Sequence, residues 1–208
     1  MMIRLLAATA LAALPAMAGA TTIVDGSFEA AGTGVADFCY DGFSAGGNAP
    51  CPAGAWGTAA GVIHSGSGAW GGTMTPDGNY FGMLQGAQIL SQTVVASATS
   101  GLSLNWIDAN RTNNGGPHSY TVTVNGATLG TYTSGFSGFA AESTGPFGVI
   151  AGQSYTIAFN GIANGDTTSF IDSVSLATVP EPASWALMLA GFGMVGFAAR
   201  RRSVAAAA

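Results

Sequence analysis

Lysine is absent from the 208 residues, and the five cations are all arginine: Arg4, Arg111, Arg200, Arg201 and Arg202. Charge of either sign is scarce at 7%, against about 25% in an average soluble domain, so disorder driven by charge is excluded. The 32 glycines keep no three-residue period, which excludes a collagen-like fibre. Histidine and cysteine are limited to two each, and neither His64 nor His118 stands at a zinc-ligand spacing. HExxH and a lysine-bearing phosphate loop are missing. From Thr21 to Val179 nine acids face Arg111 alone, a net charge of −8 that repels phosphate backbones and excludes nucleic acid as a partner. What is plentiful is apolar: 48% hydrophobic and 10% aromatic residues can fill the core of one domain.

The scarce cations cluster at the chain ends, where they frame apolar runs. Residues 1–20 carry Arg4, an apolar run from Leu5 to Leu14 and the small triplet Ala18, Gly19, Ala20, the order of a secretory signal peptide cleaved after Ala20. At the other end, Ala183 to Ala199 holds 17 uncharged residues, about 25 Å as a helix and enough for a thin membrane. Arg200, Arg201 and Arg202 follow at once, which places 203–208 as a cytoplasmic tail and the body 21–179 on the far side. Pro180-Glu181-Pro182, Trp185-Ala186, the Gly191-Phe192-Gly193 core and the triple arginine resemble the PEP-CTERM sorting signal in its PEPxxWA variant. That resemblance, confined to the last 25 or so residues, implies residues 180–202 as a sorting signal with a transmembrane helix. It implies an integral-membrane exosortase as partner, membrane anchoring before processing, and delivery to the envelope or its exopolysaccharide matrix. Two prolines hold the tripeptide extended and free of helical hydrogen bonds, a shape that suits a cleavage site.

Between the ends, short alternating segments recur and no 3.6-residue period does, so the body is all-β. Strands are predicted at Gly78–Leu84, Ile89–Val95, Leu102–Asp108, Ser154–Asn160 and Ser169–Leu176. A hairpin is predicted through Asn125-Gly126, pairing Val124 with Ala127, Val122 with Leu129 and Tyr120 with Thr131. About eight such strands make a jelly-roll β-sandwich. Cys39 and Cys51, twelve positions apart in a chain that folds outside the cytoplasm, are expected to form a disulfide.

Asp25-Gly26-Ser27-Phe28-Glu29 and Phe170-Ile171-Asp172-Ser173-Val174-Ser175-Leu176 resemble the opening and closing segments of galactose-binding-like jelly rolls, which include many carbohydrate-binding modules. The resemblance implies a ligand-binding or adhesive module, often with one structural calcium. Strand parity groups Asp172 with Phe170, Val174 and Leu176, toward the core. A buried carboxylate needs a partner. Oxygen-only donors suit calcium, and Glu29, with Asp25 as a third, would complete the set, the alternative being a neutral or backbone-bonded Asp172 without metal. Trp106 belongs to the core-facing set Leu102, Leu104, Trp106, whereas Trp70, between glycines, is the candidate for stacking on sugar. Trp56 and Tyr80 are read as core. Arg111, at the start of a polar loop, is a candidate for sugar hydroxyls or anionic polysaccharide, the other reading being an ion pair with one of the nine acids. His118 is expected at the surface beside Asn113-Asn114-Gly115-Gly116-Pro117, with half a triad alongside Asp108 as the lesser reading. The expectation is therefore a secreted, non-enzymatic structural or carbohydrate-binding protein. An extracellular polysaccharide hydrolase using two of the nine carboxylates is the alternative.

Overall fold

A computed structural model describes residues 20–40, 50–52, 54–58, 61–162, 165–179 and 187–196. Residues 1–19, where a signal peptide is expected, and Pro180, Glu181, Pro182, Trp185, Ala186 and the terminal arginines lie outside the described residues. Among the described residues twelve strands follow in chain order. They are β1 (Phe38–Tyr40), β2 (Gly57–Thr58), β3 (Gly61–His64), β4 (Tyr80–Gln85), β5 (Ile89–Val95) and β6 (Ser100–Asn110), then β7 (Ser119–Val124), β8 (Ala127–Thr133), β9 (Ala140–Ser143), β10 (Phe147–Val149), β11 (Ser154–Gly161) and β12 (Thr168–Val179). The expected sandwich is borne out: one sheet of seven strands runs β1-β3-β4-β12-β6-β10 with β9 also on β6, and one of five runs β2-β5-β11-β7-β8. Every strand pairing named and every core cluster falls within residues 21–179, so this segment holds its fold by its own contacts.

Alternation drives the inner layer. Leu104 and Trp106 of β6, Tyr120 and Val122 of β7, Ile157 and Phe159 of β11 and Leu90 and Val94 of β5 meet between the sheets. Each large side chain so buried contributes about 2–3 kcal/mol. The seven-stranded sheet is also covered on its outer face, where Ile63, Phe81, Met83, Ala109, Phe170 and Trp70 form a second cluster. That is why β4 is buried at four consecutive positions and shows no clean alternation. The hairpin closes at Asn125 and Gly126, both with positive φ, and Val124 pairs Ala127 as expected. Beyond that a bulge between Val122 and Thr123 shifts the register, so Val122 faces Gly130 and Tyr120 faces Tyr132.

A second bulge corrects the parity read for Asp172. Ser173 adopts φ 50°, and the β12–β6 register shifts between Asp172 and Ser175. Phe170 therefore lies in the outer cluster, while Ile171 and Val174 lie in the inner core. Asp172 shares the outer face with Phe170 and is fully buried there. The opening segment docks at this bulge. Val174 N donates to Gly26 O at 2.9 Å, and a Cβ on Gly26 would stand 2.0 Å from Val174 O. Phe28, at φ 58°, is fully buried and stacks on Trp56 at 5.3 Å. The two segments that bracket the body in sequence thus meet in space. Cys39 of β1 and Cys51 form the expected disulfide. Of the C-terminal apolar span, 187–196 is helical and exposed. Among the described residues no helix is long and apolar enough to cross a membrane.

Candidate functional site

Three loops converge beyond the ends of β4, β6 and β12. The chain leaves β6 at Asn110, whose buried amide donates to Arg111 O at 2.9 Å and Gly116 O at 3.3 Å, and whose Oδ1 accepts from His118 N at 3.0 Å. One side chain thus fixes both ends of the polar loop. Arg111 N donates to Thr168 O at 3.0 Å, tying that loop to the start of β12. From the opposite side comes the short 3₁₀ turn Gly68–Trp70.

Arg111 is the hub. Its guanidinium carbon lies 4.3 Å from the centroid of the Trp70 ring, a cation–π contact. Nη1 reaches Asp166 Oδ1 at 3.0 Å, Nε donates to Asn113 Oδ1 at 2.8 Å and Nη2 to Ala69 O at 3.2 Å. The half-exposed Asp166 also accepts from Gln85 Nε2 and Asn114 Nδ2, and Tyr40 OH donates to Gln85 Oε1 at 3.3 Å. Five planar polar groups are thus held edge to edge at the surface over an aromatic floor of Trp70, Phe38, Tyr40 and Phe170. Trp70 Nε1, Ser67 Oγ, Thr167 Oγ1 and Thr168 Oγ1 in the flanking segments are buried without a protein partner, which protein interiors rarely tolerate.

The structure brings Trp70 and Arg111 together but corrects the exposure expected of two candidates. Trp70 is only 4% exposed, because one ring face is covered by Arg111 and its edges meet Phe38, Tyr40 and Phe170, so it offers no stacking platform. His118 is fully buried rather than at the surface: Nε2 faces Gly86 O and Nδ1 faces Ser169 Oγ, each at 2.8 Å. Burial holds its imidazole below the ordinary histidine range. It supports the loop from beneath, its backbone N–H donating to Asn110 Oδ1. Asp166, Gln85 and Asn114 are contributors that residue spacing does not reveal. The one available hint was Asp166 as the acid in the Gly-rich turn before the last strand.

Asp25, Glu29 and Asp172 do not fit calcium as a set of three. Asp25 spends both oxygens on the amides of Ala30 and Ala31, at 2.9 and 2.8 Å, capping the short helix Glu29–Gly32. Glu29 Oε1 accepts from Asn79 N and Tyr80 N, at 2.7 and 2.9 Å. Asp172 accepts from Ser173 N at 2.7 Å and from the Thr75 hydroxyl. Burial, with Asp77 and Glu29 near by, pushes its pKa up to about 7. Among the described residues no three His, Cys, Asp or Glu are grouped to hold a metal ion.

Asp108 is buried with a raised pKa, chiefly from desolvation, and accepts from Tyr120 OH at 2.6 Å. Gly42-Phe43-Ser44-Ala45-Gly46 has the spacing of a nucleophile elbow and lies outside the described residues. Of the two histidines, His118 is enclosed and His64 Nδ1 lies 2.9 Å from Ser65 O. A shallow groove of about 370 Å³ crosses the seven-stranded sheet, bordered by Asn105, Ile107, Glu142, Ser143 and Ser173.

Residues 178–202 match the PEP-CTERM protein-sorting motif. This motif marks a secreted protein processed by an exosortase. No curated protein matches the chain. Similar solved structures include the CBM22-1 xylan-binding domain of Paenibacillus barcinonensis Xyn10C, at 12% identity over 61% of this chain and 86% of that one, TM-score 0.45. A family 35 carbohydrate-binding module from Clostridium thermocellum is similar at 14% identity over 51% and 84%, TM-score 0.41. The CBM36-1 domain of a multidomain xylanase from the hindgut metagenome of Trinervitermes trinervoides is similar at 19% identity over 58% and 98%, TM-score 0.41.

Proposed function

We propose that this protein is a non-enzymatic component of the cell envelope or extracellular matrix, held in the membrane by its C-terminal segment until exosortase cleavage, whose sandwich binds glycan at the Arg111–Asp166 cluster. The observation that carries the binding reading is the convergence of Asp166, Asn113, Asn114 and Gln85 around a fixed guanidinium at the surface. Planar amide, carboxylate and guanidinium groups match vicinal hydroxyls, and their mutual hydrogen bonds hold them in place before a ligand arrives. The ligand is a neutral glycan. Arg111 already spends its charge on Asp166, and a body of net charge −8 repels an anionic polymer.

A glycan array probed with residues 21–179 tests this. Wild type binds a neutral glycan without releasing reducing ends. Arg111→Ala and Asp166→Asn each weaken binding at least about tenfold, roughly 1.4 kcal/mol, with the sandwich still folded. Binding that survives both changes refutes the site, and release of reducing ends replaces the binding protein with a hydrolase.

A further inference from the structure

The sandwich has two poles, and they differ in charge. The Arg111–Asp166 cluster stands at one, beyond the ends of β4 and β6. At the other, β5 and β12 end while β6 and β11 begin, with Val95 paired to Ser154 and Val179 to Gly101. Three stretches build this second pole: Thr93 to Ile107, Thr144 to Gly165 and Ser173 to Val179. None of them contains Asp, Glu, Lys or Arg. Glu142 pairs with Trp106, about 20 Å along β6 from Ser100.

The tips of two loops form the surface there. Ala96 N donates to Gln153 O at 2.9 Å, Gly152 N to Ala96 O at 2.7 Å and Ala151 N to Thr99 Oγ1 at 3.1 Å, which locks the two tips together. Beneath them Ala96, Leu102 and Val149 make a small core of their own. Val95 and Ile150, next to these bonds, are nevertheless 61% and 60% exposed.

Where the chain goes next selects the partner. β12 ends on this pole at Val179, and the uncharged run begins at Ala183. Fully extended, the link between them reaches about 14 Å, of which the headgroup layer of a bilayer takes about 5–8 Å. A body tethered so closely cannot stand clear of the membrane. A leaflet containing anionic lipid repels the acids of the other surfaces and leaves the uncharged pole to face it.

We propose that this pole is a membrane-docking surface: until the C-terminal segment is cut, Val95 and Ile150 seat in the interface of the bilayer that holds the segment. This rests on the anchoring proposed above. β12 runs from Thr168 to Val179, so the Arg111–Asp166 cluster is carried roughly 35 Å away from the lipid, where it can meet a glycan. Two aliphatic side chains are too few to hold an untethered body on a membrane, so cleavage releases it.

The test reconstitutes residues 21–208 in phosphatidylcholine vesicles with roughly one-quarter phosphatidylglycerol, using bromine on the upper acyl chain to quench tryptophan. Trp185→Phe removes the indole of the apolar run and gives a parent chain whose Trp56, Trp70 and Trp106 are buried in the body. Ile150→Trp then adds a reporter at the docking pole. Phe136→Trp adds one at the other pole, where Gly135 O accepts from Asn110 N at 2.8 Å and Phe136 is half-exposed. With the parent signal subtracted, the Ile150→Trp reporter should lose at least about three times the fraction of fluorescence that the Phe136→Trp reporter loses. Adding Val95→Asp should cut that quenching to about half or less. Equal quenching at both poles in a chain that floats with the vesicles, or quenching that Val95→Asp leaves unchanged, overturns the docking surface alone. A chain that does not float with the vesicles overturns the anchoring as well.

Discussion

Replacing Asp172 by asparagine tests how a fully buried carboxylate is tolerated beside Asp77 and Glu29. Its pKa is raised from 3.8 to about 7, with desolvation the leading cause. Below pH 3.8 the folded and unfolded chains are both protonated here and the group contributes nothing. Between 3.8 and 7 the unfolded chain has released the proton while the folded chain keeps it, so stability falls as pH rises. Above 7 the loss levels off at about 4 kcal/mol, from roughly three pKa units at 1.36 kcal/mol each. The asparagine side chain carries no titrating proton and can keep the bonds to Ser173 and Thr75. Urea unfolding of wild type and Asp172→Asn from pH 4 to 8 in chelator should therefore give curves that diverge with pH, the variant being the more stable by pH 8. The difference between the curves is the quantity to read, because His118 has the opposite sign. Its lowered pKa stabilises the fold above the unfolded value and withdraws that support as pH falls. Parallel curves in chelator would refute the account of Asp172. Calcium that raises wild type at pH 8 and leaves Asp172→Asn unmoved would show a cation taking the proton's place.

Replacing Cys39 and Cys51 together by alanine opens a loop of sequence separation 12 and should cost about 3 kcal/mol. Thermal unfolding should show this as a midpoint lower by roughly 6–12 °C in a domain of this size. Pro182→Leu, in the stretch matching the sorting motif, should leave full-length protein in the membrane fraction. Mass spectrometry that finds the intact C-terminal peptide on the mature secreted wild-type protein would remove exosortase processing.

Long strands with one wet face were readable in the sequence. Ile89–Val95 coincides with β5, and the Asn125-Gly126 turn closes the hairpin where it should. The short strands β1, β2, β3, β9 and β10, of two to four residues, give no alternation to count. The hairpin bulge adds Leu129 beside Gly130, and the bulge at Ser173, with no glycine as a mark, turns Val174 to the face opposite Phe170 and Asp172, which the sequence had grouped with it. Trp70 was misplaced because flanking glycines suggest exposure, whereas the sheet's outer face is a second core that needs a cover. Arg111 was found through scarcity, as the one cation of the body. Its partner Asp166 arrives from 55 residues away, a proximity that only the pairing of β12 with β6 creates.

The polar chain buried between the sheets is settled by counting hydrogens. Trp106 Nε1 donates to Tyr120 OH, which donates to Asp108 Oδ2; Ser134 Oγ then lies 2.9 Å from that same oxygen and 2.7 Å from Ser169 Oγ, which meets His118. Gly86 O can only accept, so the proton of a neutral His118 sits on Nε2 and Nδ1 must receive one from Ser169. Ser169 then takes its hydrogen bond from Ser134, whose single hydrogen is used, and nothing remains for Asp108 to accept from that side. The row closes in two ways only: Asp108 protonated and donating to Ser134 beside a neutral His118, or Asp108 ionised and His118 cationic with both hydroxyls reversed. Both carry the same total of hydrogens and no net charge. The molecule therefore keeps one exchangeable proton sealed between its sheets, and its two resting places are the ends of a single row of hydroxyl groups that turn together.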